Sequence, residues 1–401
     1  MGTQSRISLQ DYRVFYADQP TIGGSVVWED GQLVAVFGSG PFEDDDAGQH
    51  PFRVRSADLG RTWSAPEPFG PPVVVHPEQE SLSLTLFGPT AAGTFLAYGV
   101  HMRVHSPTAR RYEDLQFRSY PLLIGRRVRG AADFAYRQYP SGTFLGEQFM
   151  ERGLQLPSGR LVFALWGCMA RGQNWRCGVL LSDDDGLTWH YRDVGYEPDP
   201  GIRDRADGEY PAGFNEQSLF AAADGRLISL IRGREKLGRL PDSPRDTWFF
   251  RSVSADQGET WTRPEPTDVP GTGAAGVGLV LPDGSLLHAC RVPYSRTHYS
   301  LPEPELFGLH LARSFDAGAT WQPEVFLQRD PDGRPFDDHY NAMNGQFVPL
   351  PQPGEWLYVF GQFAVRQRVY RILAAHLAVD TAHPTAPPCA GSSACAAERA
   401  R

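Results

Sequence analysis

An all-β fold, a six-bladed β-propeller of four-stranded antiparallel blades, is predicted by two repeats that run in phase along the 401 residues. The first is the pattern S-x-D-x-G-x-T-W, which occurs as Ser56–Trp63, Ser182–Trp189, Ser254–Trp261 and Ser314–Trp321. The second is an apolar strand, a Gly-bearing turn and another apolar strand, the arrangement of a short hairpin. It occurs around Gly31, Gly88, Gly159, Gly225, Gly284 and Gly354, six times in all. The spacing agrees with a blade-sized unit: Asp184 to Asp256 is 72 residues, Asp256 to Asp316 is 60, and Asp58 to Asp184 is 126, twice 63. One blade without the motif therefore falls between the first two copies.

Taken in chain order, the blades are expected at about 22–70, 76–140, 147–196, 213–268, 274–328 and 343–380. The sixth has three strands of its own, the last near Val369–Ala378. The alternating segment Ile7–Phe15 is left over at the other end and is expected to supply the fourth strand, closing the ring and removing an exposed sheet edge. Residues 1–383 then form one domain, and the proline-rich 384–401, which lacks periodicity, reads as a disordered tail. In each S-x-D-x-G-x-T-W copy the Asp is expected to accept backbone N–H bonds and the Gly to take a positive φ, while the Trp packs into the core.

Composition narrows the partners. A net charge of −9 argues against a phosphate-tracking surface, so nucleic acid is not an expected partner. No apolar run is long enough to span a membrane, and Met1–Ile7 has no apolar signal core, so the expectation is a cytoplasmic chain with no membrane partner. The five cysteines show no metal-ligand spacing, and free thiols are expected, with Cys168 and Cys177 placed to face each other across a hairpin. No metal and no cofactor are expected. Gly271–Gly276 satisfies G-x-G-x-x-G but leads into a strand, so it reads as a loop.

The fourfold motif resembles the Asp-box, or BNR repeat, of the sialidase superfamily of β-propellers. In that family the boxes lie away from the active site, which is built from the upper ends of the innermost strands and from the loops after the second strands. Counting back from the hairpin glycines places Glu80, Glu151 and Glu216 at nearly one inner-strand position. Arg103, Arg232 and Arg291 end second strands, where a guanidinium suits recognition of a sugar carboxylate. The segment Asn215–Arg232 is similar to the sialidase glutamate and central arginine, and Arg291 to another arginine of the sialidase triad. Tyr340 resembles the nucleophilic tyrosine, with Glu216 drawing its proton, and the run Glu43–Asp46 stands where the family carries its acid/base aspartate, a role open to Asp44, Asp45 or Asp46, of which Asp45 is the candidate taken.

The pattern departs from the family at Pro20–Val26, which carries no arginine where sialidases begin their first inner strand with one. Histidines gather on the same face, among them His76, His101, His105, His298 and His339. The resemblance implies a glycan-active enzyme, an exo-glycoside hydrolase taking a terminal acidic sugar. Two alternatives stay open: a uronate lyase on the same scaffold using His339 or His76 with Tyr340, and a non-catalytic propeller that binds carbohydrate or protein.

Overall fold

Alternation of apolar and polar residues, interrupted by Gly turns, builds short antiparallel strands throughout the computed structural model. It describes residues 7–40, 48–71, 80–104, 118–119, 121–139, 148–168, 175–195, 213–234, 239–240, 243–270, 278–291, 309–327, 333, 340–364 and 369–379. β1 (Ile7–Tyr16) precedes the first set, β2 (Thr21–Glu29), β3 (Gln32–Ser39), β4 (His50–Ser56) and β5 (Glu67–Pro68). The second set is β6 (Glu80–Phe87), β7 (Phe95–Val104), β8 (Arg118–Ser119), β9 (Leu122–Arg127) and β10 (Ala135–Tyr139). β11 (Gln148–Gln155), β12 (Leu161–Cys168), β13 (Trp175–Ser182) and β14 (His190–Gly195) follow. Next come β15 (Gly213–Ala221), β16 (Leu227–Arg234), β17 (Arg239–Leu240), β18 (Ser243–Ser254) and β19 (Glu265–Pro270). The last are β20 (Gly278–Val280), β21 (Leu286–Arg291), β22 (Leu309–Ser314), β23 (Gln322–Leu327), β24 (Tyr340–Pro349), β25 (Glu355–Ala364) and β26 (Val369–Val379).

The arrangement is all-β and propeller-like, with β2–β5 and β20–β23 each forming a four-stranded sheet in chain order. β1 joins the far end of the chain, pairing antiparallel with β26 from Ile7 opposite Val379 to Tyr16 opposite Ile372. A single parallel bridge, Trp175 to Gly213, connects β13 to β15 and merges the set β11–β14 with the set β15–β19 into one nine-stranded sheet. The apolar cores lie between sets. Leu82, Leu84 and Ala97 pack on Val27, Val34 and Val36. Leu96, Tyr98 and Ile124 pack on Leu161, Phe163 and Leu165. A further core joins the last set to the first, through Leu357, Val359 and Ile372 against Val26, Leu33 and Phe37. Each fully buried Leu or Phe contributes on the order of 1.5–3 kcal/mol to this stacking.

The four box motifs share one hydrogen-bond pattern. In the first, Gly60 N donates to Ser56 Oγ at 2.8 Å, Thr62 N to Asp58 Oδ1 at 2.8 Å and Thr62 Oγ1 to Asp58 Oδ2 at 2.6 Å. Trp63 Nε1 closes the turn on the Gly60 carbonyl at 3.1 Å. The Thr62 hydroxyl and N–H hold the Asp58 carboxyl down to about 2, and Thr260 does the same for Asp256. The expected glycines have positive φ, but so do the residues before them, Leu59, Asp185, Gln257 and Ala317. Trp189 and Trp321 are core, whereas Trp63 and Trp261 are only partly buried, a correction to the reading of all four as core. Cys168 and Cys177 are buried, set opposite Trp175 and Trp166 and not opposite each other.

One core residue is polar without compensation. His288 on β21 is fully buried among Phe249, Trp321 and Phe220, and neither ring nitrogen has a hydrogen-bond partner among the described residues. Burial pushes its imidazole down to about 3. The unfolded chain therefore takes up this proton first, and the contribution is fully present above about 6.5 and lost as pH falls toward 3. His288→Leu is expected to raise stability by removing two unsatisfied nitrogens. Its advantage over the wild type should widen by about 2 kcal/mol between pH 7 and pH 5, as measured by urea unfolding at the two pH values.

Candidate active site

The boxes and the candidate residues occupy opposite ends of the strands. Ser56, Ser182, Ser254 and Ser314 pair with Leu33, Leu161, Leu227 and Leu286, at the starts of the second strands. Arg232 lies at the other end of β16, opposite Asn215 and Phe249, and Arg103 lies near the end of β7, opposite Glu80. The end away from the boxes is called the mouth below.

At the mouth the inner strands break their pairing. Gly23 and Gly24 on β2 bulge opposite Phe37, between the pairs Ile22–Gly38 and Ser25–Val36. Glu151 and Arg152 on β11 bulge opposite Ala164, and Asn344 and Gly345 on β24 opposite Phe360. On β15 the extra residue is Glu216 itself, between the pairs Asn215–Arg232 and Gln217–Ile231. Gly153 ends the β11 bulge because a Cβ there would lie 1.8 Å from Phe163 Cδ1.

Glu216 has a φ of 40°, a left-handed conformation that a glutamate adopts only when its surroundings impose it. The next residue supplies that constraint. Buried Gln217 donates to the carbonyls of Leu165 at 3.0 Å and Gly178 at 2.6 Å, and Ser229 Oγ donates to its Oε1 at 2.7 Å. The Glu216 carboxylate accepts a hydrogen bond from Arg232 Nη1, and the two side chains are 15% and 16% exposed. Arg232 Nε is buried without a hydrogen-bond partner among the described residues, as is Oδ1 of neighbouring Asn215, which is 1% exposed. A donor and an acceptor left open beside a strained carboxylate are groups a polar ligand could satisfy.

A second cluster sits on β6 and β7. Glu80 Oε2 lies 3.2 Å from His101 Nε2, and Glu80 Oε1 lies 3.7 Å from Arg103 Nε, while Arg103 Nη2 stands 3.5 Å from His101 Nδ1. Burial holds the His101 imidazole below its ordinary range; the Glu80 hydrogen bond opposes this and the Arg103 charge adds to it. The imidazole is thus neutral at pH 7, with Nε2–H directed to the carboxylate.

The structure brings together Glu216 with Arg232 and Glu80 with Arg103. It does not keep the three glutamates in one register: Glu80 is regularly paired, whereas Glu151 and Glu216 sit in bulges of different size. Tyr340 opens β24 opposite Ala364, and Arg291 ends β21 opposite Leu309. The side chains of Tyr340, Arg291 and Glu151 lie outside the described residues, as do Asp45, His76 and His339. Arg152 and Asn215 were not singled out by sequence reasoning. The signal for Arg152 is its place between Met150 and Gly153, where alternation breaks. No group of three or more His, Cys, Asp or Glu side chains that could hold a metal ion occurs among the described residues.

Residues 136–358 match the family model described as a BNR repeat-like domain. Comparison with curated proteins returns no match. Among solved structures, a protein of unknown function from Dyadobacter fermentans DSM 18053 is similar at 17% identity and a TM-score of 0.70, over 93% of this chain and 99% of that one. The Hadza microbial sialidase Hz136 is similar at 14% identity and a TM-score of 0.61, over 89% of this chain and 65% of that one. Trypanosoma rangeli sialidase gives 14% identity and a TM-score of 0.57, over 89% of this chain and 55% of that one, and is also solved with the inhibitor DANA. The chain thus spans only part of each sialidase's length. Because the family match covers more than half of the chain, and the fold is shared with these sialidases, the protein belongs to the BNR repeat-like domain family and has a sialidase-like fold.

Proposed function

We propose that this chain is a sialidase-like exo-glycoside hydrolase that removes a terminal acidic sugar, sialic acid or a related one, from a glycan. The proposal includes a ring of six blades, supported by the series of shared cores and by the pairing of β1 with β26. The observation that carries it is Glu216, a carboxylate forced into a left-handed bulge at the mouth and ion-paired to Arg232. Strain of this kind costs on the order of 1–3 kcal/mol and collects where geometry serves chemistry.

In the proposed reaction Glu216 takes the phenolic proton of Tyr340, and the phenolate forms a bond to the anomeric carbon. The bond from that carbon to the aglycone oxygen breaks, and that oxygen receives a proton from Asp45. Asp45 then deprotonates the water that displaces the tyrosine, whose oxygen regains its proton from Glu216. Arg232 and Arg291 bind the sugar carboxylate, whose charge beside the anomeric carbon would repel a carboxylate nucleophile, so a tyrosine that is neutral until Glu216 takes its proton suits this carbon better. Arg232 Nε and Asn215 Oδ1, both buried without a hydrogen-bond partner among the described residues, support a polar group at this place.

A panel of fluorogenic glycosides, spanning sialic acids, related nonulosonic acids, uronic acids and neutral sugars, tests the proposal. Release from an acidic member and not from neutral ones is the expected result. Silence across the panel, or a uronate-polysaccharide product with the ultraviolet absorption of an unsaturated sugar, would overturn it, the second outcome in favour of elimination.

A further inference from the structure

At the end away from the mouth, four of the sets turn from their third strand to their fourth through a box, which follows β4, β13, β18 and β22. The second set has none, and residues 128–134 join β9 to β10 instead. This set still meets its neighbour as another does. Arg126 Nε on β9 donates to the Asp185 carbonyl at 2.9 Å, as Arg251 Nε on β18 does to that of Ala317 at 2.8 Å, each acceptor being the positive-φ residue of a box. Beside the Arg126 contact lies a groove of about 460 Å³, with Ile124, Val128, Ala135 and Arg137 on one side and Leu187 and Trp189 of the Ser182–Trp189 box on the other. Leu187 is 55% exposed and Val128 43%. The other boxes carry Arg61, Glu259 and Ala319 in the place of Leu187, so the turn itself does not call for a large apolar side chain there. Two solvated apolar side chains on one groove mark a binding surface.

We propose that this groove docks an extended segment of a partner protein, which adds to β10 as an antiparallel strand with an acidic residue opposite Arg137 and, two residues later, an apolar residue opposite Ala135. β10 is the outermost strand of its sheet and pairs only with β9 among the described residues, so its other edge offers backbone groups to a new strand. Ala135, Arg137 and Tyr139 share the face of β10 that lines the groove, paired with Arg126, Ile124 and Leu122. Residues of the added strand directly opposite Ala135 and Arg137 lie on that same face. Ala135 is exposed and small, which leaves the room between Val128 and Leu187 to the partner's apolar side chain. Charge fixes the acidic position. Asp185 already pairs with Arg126 at 2.7 Å, whereas the exposed Arg137 side chain has no hydrogen bond or ion pair among the described residues. Asp133, which also lines the groove, lies in the bend before β10 and outside this register.

The test is fluorescence polarisation of labelled peptides with the full chain: Thr-Glu-Thr-Leu-Thr-Thr, its counterpart with Lys for Glu, and two forms of the first N-methylated at the third or at the fourth residue. The acidic peptide should bind about 3- to 10-fold more tightly than the basic one at low salt, and Arg137→Glu should reverse that order. Leu187→Arg, which gives this box the residue of the first, should weaken the acidic peptide about tenfold. One N-methyl form should lose binding and the other keep it, because alternate amides of an added strand face β10. Both protein variants change exposed side chains, and an unaltered thermal midpoint shows that each is folded. Equal binding of the acidic and basic peptides, or of both N-methyl forms, overturns the proposal, as does binding untouched by Leu187→Arg or absent for every peptide. A wild-type dimer that Leu187→Arg dissociates, seen by analytical ultracentrifugation, overturns it in favour of a second copy of this chain.

Discussion

Glu216→Gln is expected to lower kcat on an acidic glycoside by about 10²–10⁴-fold, the range for loss of a positioned proton acceptor, with a smaller change in KM. The substitution is chosen because it separates two roles. An amide has the shape of the carboxyl and its oxygen can still accept from Arg232 Nη1, so a residue that serves only to anchor the arginine would be replaced with little loss. The proton of the phenol, in contrast, has nowhere to go. Initial rates over a range of substrate concentration distinguish the outcomes, and a kcat within about tenfold of wild type would leave Glu216 a structural partner of Arg232.

Arg313→Met is expected to cost about 3–5 kcal/mol, read as a fall in the urea midpoint, although the residue touches no part of the mouth. Arg313 on β22 is fully buried. Its Nε donates to Ser285 Oγ at 2.8 Å, Nη2 pairs with Asp283, Nη1 lies 3.7 Å from Glu324, and the guanidinium stands 4.6 Å from the centroid of the Phe315 ring. Burial works against ionised Asp283, but the Ser285 hydroxyl and N–H and the Arg313 charge keep its carboxyl below the ordinary range. Methionine fills the space but leaves two carboxylates facing a site without its cation. The triple variant Arg313→Met, Asp283→Asn, Glu324→Gln should recover much of the loss, since removing a whole buried ion cluster costs less than removing one partner. Equal destabilisation in the single and triple variants would attribute the effect to packing instead.

The parts of the fold legible in the sequence are those decided by local chemistry. A Ser, an Asp, a Gly and a Thr at fixed offsets make a turn whose defining hydrogen bonds run among these four residues, so each box can be read without its neighbours. The hairpin glycines work the same way, and Gly31, Gly159, Gly225, Gly284 and Gly354 all have positive φ. Bulges are different, because they exist only relative to a partner strand. Counting from hairpin glycines therefore put Glu80, Glu151 and Glu216 at one level, while the pairing separates them. The same blindness hid Arg152, which donates from Nη2 to the Gly24 carbonyl 128 residues away in sequence. The empty stretch at Pro20–Val26 was legible as a missing arginine, but not the fact that a guanidinium from β11 stands beside it.

The central claim is that Tyr340 attacks the anomeric carbon with Glu216 as its partner. It is tested most directly by incubating the chain with 2,3-difluorosialic acid, whose electron-poor anomeric carbon slows breakdown of a glycosyl-enzyme, and mapping the added mass by peptide mass spectrometry. The account predicts one adduct, on Tyr340, absent from Glu216→Gln. A chain that turns over sialosides yet carries its adduct on another residue, or forms none while being inhibited, would contradict it.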